Sequence, residues 1–278
     1  MRRVRMMLSS DANSGIIGES MPQWWSANWK NRLVFGAQHP GYAIKAVLRD
    51  VFSADERFLA ALAGATTSQI RQFLGEPFQD LRFYEHLQSV EREFGGTSAI
   101  GADLYAKRVL MQYAIIRAVK PECVLETGIA NGVSSAYLLL AMERNQKGAL
   151  YSIDVNDGSY LPSGKRVGWV VPEWLRERWT VHLGDARELL PRLLAELKSL
   201  DVFIHDSLHT YEHMKFEYEL AYPYLRQDGI LISDDALWNP AFKEFADKMG
   251  TPMARVLRGV GFLKKRDIQR QQRNANRR

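Results

Sequence analysis

Beyond Pro121 the sequence alternates short β-branched apolar runs with amphipathic stretches, and this alternation constrains the fold more than any other feature. The run CVLETG precedes the helical pattern SSAYLLLAMERN, and ALYSIDV precedes a long loop holding Gly158, Pro162, Gly164 and Gly168. PEWLRERW leads into TVHLGDA, RELLPRLLAEL into DVFIHD, and EHMKFEYELAYPYL into GILISDD. Strands apolar on both faces, separated by amphipathic helices, predict a mostly parallel, doubly wound α/β sheet covered on both sides. The ending MARVLRGVGFLKK reads as two short strands joined at Gly259, a terminal antiparallel hairpin.

The residues before this alternation have a different character. Residues 1–30 carry no periodicity and read as a loose arm, with Trp24 and Trp25 available to dock it. Residues 31–98 read as a helical lead-in that caps an acceptor site. Within it, GYAIKAVLRDVF has helical spacing, and Ser53 with Glu56 predicts a capping box for ADERFLAALAG, which Gly64 ends. TSQIRQFLG and PFQDLRFYEHLQSVEREFGG predict two more helical stretches. ADLYAKRVLMQYAIIRAVK predicts a long amphipathic helix ending at Pro121. Residues 99–265 then form the α/β domain, and 266–278 a flexible basic tail.

The net charge of +5 invites a nucleic-acid reading, but the charge is local. The last fifteen residues hold seven Lys or Arg and one Asp, which leaves the preceding 263 residues with a net of −1. Nucleic acid is therefore not the expected partner. No apolar run reaches the ~20 residues of a membrane span. The single cysteine, Cys123, excludes an intrachain disulfide and a zinc site built on several cysteines, and the expected location is cytoplasmic. The sequence leaves room for a homo-oligomer.

In a doubly wound sheet, ligands bind at the carboxyl ends of the strands. After the first strand comes Glu126-Thr-Gly128-Ile-Ala-Asn-Gly132-Val-Ser134-Ser135. Gly128 and Gly132 suit either a close approach to a ligand or a tight strand-to-helix turn. The second strand ends in Asp154, where a carboxylate can accept both hydroxyls of a ribose. The third ends in Gly184-Asp185-Ala186, the fourth in His205-Asp206, and the fifth in Asp234-Asp235. A carboxylate at each strand end reads as one shared site, against the plainer alternatives of sheet-end capping and ion pairing.

Glu126-Thr-Gly-x-x-x-Gly with Asp154 and Gly184-Asp185 resembles the nucleoside-binding signature of class I methyltransferases that use S-adenosylmethionine (SAM), on a Rossmann-like fold. The stretch from His205 to Asp235 is similar to the later motifs of their metal-dependent small-molecule O-methyltransferase group, which includes sugar methyltransferases. The resemblance implies that Gly128, Gly132 and Ser134 line the methionine part of SAM, with Glu126 near its amino group. It implies that Asp154 holds the ribose and that Asp185 and Ala186 flank the adenine. Asp206, Asp234 and Asp235 match positions that bind a divalent ion, usually Mg²⁺, in relatives that bind one; oxygen ligands suit such a hard cation. Methyl transfer to a hydroxyl of a small molecule follows as the expected activity.

Relatives that methylate sugars place an acidic base where this chain has Leu208. His209 follows it, and a histidine is suited to taking a hydroxyl proton near neutral pH. Its rival role is to orient a loop or a substrate, beside Asp206 as a catalytic partner. His205 reads as structural, Tyr211 and Glu212 as helix-cap residues, and Asn239 as either an oxygen ligand or the start of a helix. Tyr105, Tyr160 and Trp169 are candidates to line the acceptor pocket. The rivals are an RNA or protein methyltransferase working through the tail, and a SAM-binding protein with little activity.

Overall fold

In the computed structural model the described residues are 54–93, 104–155 and 161–265. The arm 1–30, the Ser53 cap, Tyr160 and the tail 266–278 lie outside them. Seven strands form one sheet: β1 (Cys123–Thr127), β2 (Ala149–Asp154), β3 (Trp179–Leu183), β4 (Leu200–His205), β5 (Leu225–Ser233), β6 (Ala254–Leu257) and β7 (Val260–Lys264). Their order is β3-β2-β1-β4-β5-β7-β6. The first five are parallel; β7 runs antiparallel to β5, and β6 pairs antiparallel with β7. The expected doubly wound sheet with a terminal hairpin is therefore present, and the order reverses between β1 and β4.

Eight α-helices accompany these strands among the described residues: α1 (Ala54–Ala63), α2 (Thr67–Gln79), α3 (Leu81–Glu93), α4 (Lys107–Val119), α5 (Val133–Asn145), α6 (Ala186–Leu197), α7 (Tyr211–Ala221) and α8 (Ala241–Met249). The period-2 geometry of the strands divides the core into two halves. Val124, Val202, Ile204, Ile230 and Ile232 face α1 to α5. Leu125, Phe203 and Leu231 face α6, α7 and α8. The edge strand β3 is the exception to the two-sided apolar reading, because Thr180, Val181 and Leu183 are exposed.

Three helix expectations change. The second lead-in helix does not stop at Gly75 but runs through Glu76 and Pro77 to Gln79, with the break at Asp80. Asp80 Oδ1 accepts the Phe83 amide at 3.1 Å and so starts α3. Thr66 and Gln69 form a capping box at the start of α2. The helix before β1 begins at Lys107, and it is not amphipathic: every residue from Val109 to Ile116 is buried. It lies between the sheet and the lead-in helices, whose Leu62, Ile70, Phe83 and Leu87 share its core. Each fully buried Leu or Ile there contributes ~1.5–3 kcal/mol relative to exposure. PEWLRERW forms a 3₁₀ turn over Glu173–Arg178 rather than an α-helix.

Candidate functional site

The carboxyl edge of the sheet carries a cavity of about 250 Å³ at the β1/β4 reversal. The β1–α5 loop forms one wall through Gly128, Ile129, Ala130, Asn131, Val133 and Ser134; α4 adds Arg108, Val109 and Gln112; Asp206, Asp234 and Asp235 close the third side. A second hollow, of about 170 Å³ between α7 and α8, holds no strand-end residue.

The glycines of the loop answer first to packing. Gly128 has φ +89°, and a Cβ there would lie 1.9 Å from the Asp206 carbonyl oxygen. Gly132 has φ +85°, and a Cβ would sit 2.7 Å from the Gly168 Cα. These contacts let the β1 and β4 ends approach and seat the segment after β2 against the loop. That segment is held by the Gly168 amide on the Ala130 carbonyl at 2.8 Å, the Val170 amide on that of Asn131 at 2.9 Å, and Trp169 Nε1 on Asn131 Oδ1 at 2.7 Å.

Glu126 is fully buried and accepts hydrogen bonds from Ser134, Ser135 and Ser152 at 3.0, 2.7 and 2.9 Å. Burial pushes its carboxyl up to about 7, against the pull of the three serines. Asp154 Oδ2 accepts the Ile129 and Ala130 amides at 2.7 and 2.9 Å, so this carboxylate shapes the loop. Asp185 is the exposed N-cap of α6, accepting the Arg187 amide at 2.8 Å, with Ala186 buried behind it. Neither Asp154 nor Asp185 lines the cavity, which holds the β1, β4 and β5 side of the edge.

Asp206 and Asp234 lie against each other. Burial first, and then the Asp234 carboxylate, raise the Asp206 pKa well above the ordinary range. Arg108 Nη1 stands 3.4 Å from Asp234 Oδ2. Asp235, with φ +46°, approaches His209 Nδ1 at 3.9 Å, while His209 Nε2 is 3.7 Å from Asp206. The donor chemistry of the three Asp suits a hard cation, but their arrangement does not. Among the described residues no group of three or more His, Cys, Asp or Glu side chains is placed to hold a metal ion.

His209 stacks on Trp238 with ring centroids 6.0 Å apart and meets His205 edge-on at 5.3 Å. Its pKa is lowered, by burial first and then by His205, so it is neutral at pH 7. Asn239 donates to the His209 carbonyl at 3.2 Å and accepts the Ala241 amide at 2.9 Å, a loop and helix-start role. Tyr105 donates to Glu91, and Trp169 to Asn131; neither lines the cavity. Thr210, rather than Tyr211 or Glu212, supplies the side-chain cap of α7.

Three features escape a reading of strand ends. The fully buried Glu217 of α7 accepts from His205 at 2.6 Å, His213 at 2.9 Å, Thr127 at 2.6 Å and Ser207 at 2.8 Å. Burial alone would raise its carboxyl, but the hydrogen bonds from His205, His213 and Thr127 hold it near 2. The only sequence signal is the one-turn spacing of His213 and Glu217. Arg108 and Gln112, also one turn apart, bring polar groups to the cavity from α4, which is otherwise packed as an apolar core helix. At the opposite edge, Asp201 accepts the Glu122 and Cys123 amides at 2.6 and 2.7 Å. Burial pushes the Cys123 thiol up to about 11, in keeping with a structural role.

Residues 125–236 match the family described as a methyltransferase domain, from within β1 to just past the Asp234-Asp235 pair. This stretch, less than half of the chain, is similar to a methyltransferase domain and spans the strand ends that frame the cavity. A search of curated proteins finds no match. Solved structures similar to the chain include a protein assigned as an O-methyltransferase from Klebsiella pneumoniae, at 17% identity over 58% of this chain and 81% of that one, TM-score 0.45. The SAH-bound methyltransferase PaMTH1 of Podospora anserina is 16% identical over 66% of this chain and 87% of its own, TM-score 0.47. MycE, from the mycinamycin biosynthetic pathway and solved with Mg, SAH and mycinamycin VI, is 18% identical over 52% of this chain and 44% of its own, TM-score 0.37. These likenesses are distant, and no residue role follows from them. Among the described residues no helix is long and apolar enough to cross a membrane.

Proposed function

We propose that this chain transfers a methyl group from SAM to a hydroxyl of a small molecule, a sugar or another natural product, in the cavity at the β1/β4 crevice. The observation that carries the reading is that cavity, placed at the strand-order reversal where doubly wound sheets bind ligands. Bound SAM supplies a methyl group already activated on a sulfonium. The chain's own residues must hold the donor and acceptor in line, exclude water and take a proton. Gly128, Gly132 and Ser134 border the methionine end, with Glu126 acting on its amino group through Ser134. Asp154 takes the ribose hydroxyls, and Asp185 with Ala186 flanks the adenine.

His209, neutral at working pH, accepts the hydroxyl proton, and the Asp235 carboxylate, 3.9 Å from its Nδ1, stabilises the resulting imidazolium, with Asp206 3.7 Å from Nε2 fixing the ring. Leu208, Leu237 and Trp238 stand exposed on the same two loops as Asp206 and Asp235, which favours an acceptor with an apolar face beside its hydroxyl. Mg²⁺ belongs to the reading only as an addition. To take it, Asp206, Asp234 and Asp235 must leave their present partners, including Arg108.

The test is calorimetric titration with SAM and its demethylated product (SAH), with and without Mg²⁺, on wild type, Asp154→Asn and His209→Gln. Micromolar binding is expected for wild type. Asp154→Asn keeps an oxygen for the loop amides but loses the anionic ribose acceptor, so it should bind at least ~10-fold more weakly. His209→Gln should bind SAM normally and lose ~100-fold or more in methyl-transfer rate on any acceptor found. No binding of either nucleoside by wild type would sink the proposal, and binding unchanged by Mg²⁺ or EDTA would remove the metal from it.

A further inference from the structure

The cavity contains a group that the methyltransferase reading leaves unexplained. Gln112 lies on α4, outside the residues matched by the family, and is 2% exposed. Its Oε1 is buried without a hydrogen-bond partner, yet the side chain lines the cavity. An amide oxygen in such a place loses its water and gains nothing in return, a penalty of ~1–3 kcal/mol unless a ligand supplies a donor. The other wall of this part of the cavity is the β1–α5 loop. Arg108, one helical turn before Gln112 and lining the same cavity, brings a guanidinium that also pairs with Asp234 at 3.4 Å. The buried acid of β1, Glu126, already accepts from three serines.

We propose that Gln112 and Arg108 bind the amino-acid tail of SAM, the Gln112 amide oxygen accepting from its ammonium group and the Arg108 guanidinium meeting its carboxylate. The inference rests on the SAM reading and names two residues of the lead-in side for it. It explains why α4, otherwise packed as an apolar core helix, keeps a glutamine at a position closed to bulk water. A leucine there would fill similar space without a buried, unpartnered acceptor.

The experiment measures two ligands and one stability. SAH carries the amino-acid tail; 5′-methylthioadenosine has the same nucleoside and thioether without it. Gln112→Leu is expected to weaken SAH binding about ten-fold or more while leaving methylthioadenosine binding unchanged. The unliganded variant should melt at or above the wild-type temperature, because an unsatisfied buried acceptor is gone. Gln112→Glu keeps an acceptor oxygen and should retain SAH binding; it also serves if the leucine variant does not fold. Arg108→Met should show the same split between the two ligands.

Equal loss of both ligands in Gln112→Leu, or loss of neither, overturns the inference. The first outcome makes Gln112 a shaper of the cavity, and the second leaves it outside the ligand's reach. A wild-type protein that binds neither nucleoside fails at the SAM reading itself, before any variant is compared.

Discussion

Gly128 shows how a loop position that borders a cavity answers first to packing. Its φ of +89° and the 1.9 Å approach of a would-be Cβ to the Asp206 carbonyl make it the contact through which the β1 end meets the β4 end. Gly128→Ala combines left-handed strain of ~1–2 kcal/mol with a backbone clash, so a loss of ~3 kcal/mol or more is expected in urea denaturation. A loss under ~1 kcal/mol would mean that the Asp206 end yields freely. The sequence pattern leaves turn and ligand approach equally open here, because a glycine's spacing carries no record of what lies across from it. Asp154 is similar: its place at a strand end is legible, whereas its hold on the Ile129 and Ala130 amides depends on the fold of the loop.

Strands β1, β2, β4 and β5 are legible because a strand buried on both faces needs an unbroken apolar run. The helix α4 is misread as amphipathic because burial on all sides depends on α1 to α3, which pack over it from distant sequence. Its two cavity-facing polar residues are hidden for the same reason. The segment after β2 is a connection that the sequence marks only by its glycines, yet Asn131 ties it down twice, through its carbonyl to Val170 and its side chain to Trp169. Asn131→Leu removes the side-chain tie. The variant is expected to show a red-shifted tryptophan emission, faster proteolysis within 161–172 and weaker SAH binding. Unchanged proteolysis would show that the backbone hydrogen bonds suffice.

Across the whole molecule, two buried carboxyls of β1 and α7 pull stability in opposite directions with pH. Glu217 is held near 2, below its ordinary 4.5, so its contribution of ~3 kcal/mol is present above about pH 4.5 and lost as pH falls toward 2. Glu126 is raised from 4.5 to about 7, so its contribution is complete below pH 4.5 and lost as pH rises through 7, again by ~3 kcal/mol. Urea denaturation across pH 3–8 should therefore show Glu217→Gln losing the acid-side slope and Glu126→Gln losing the neutral-side slope. A Glu126→Gln profile parallel to wild type between pH 5 and 8 would contradict the burial of that charge.

The strand order has a consequence for synthesis on the ribosome. The central strand β1 pairs on one side with β2, which follows closely, and on the other with β4. Its first residue, Cys123, and the Asp201 carboxylate that receives its amide are 78 residues apart. At translation rates of ~5–20 residues per second, the nascent chain waits roughly 4–16 s with that edge of β1 uncovered. Slowing elongation between Ala149 and Leu200 lengthens this interval and exposes an apolar strand edge to chaperones and to neighbouring nascent chains. The yield of folded protein is thus tied to codon choice in that stretch.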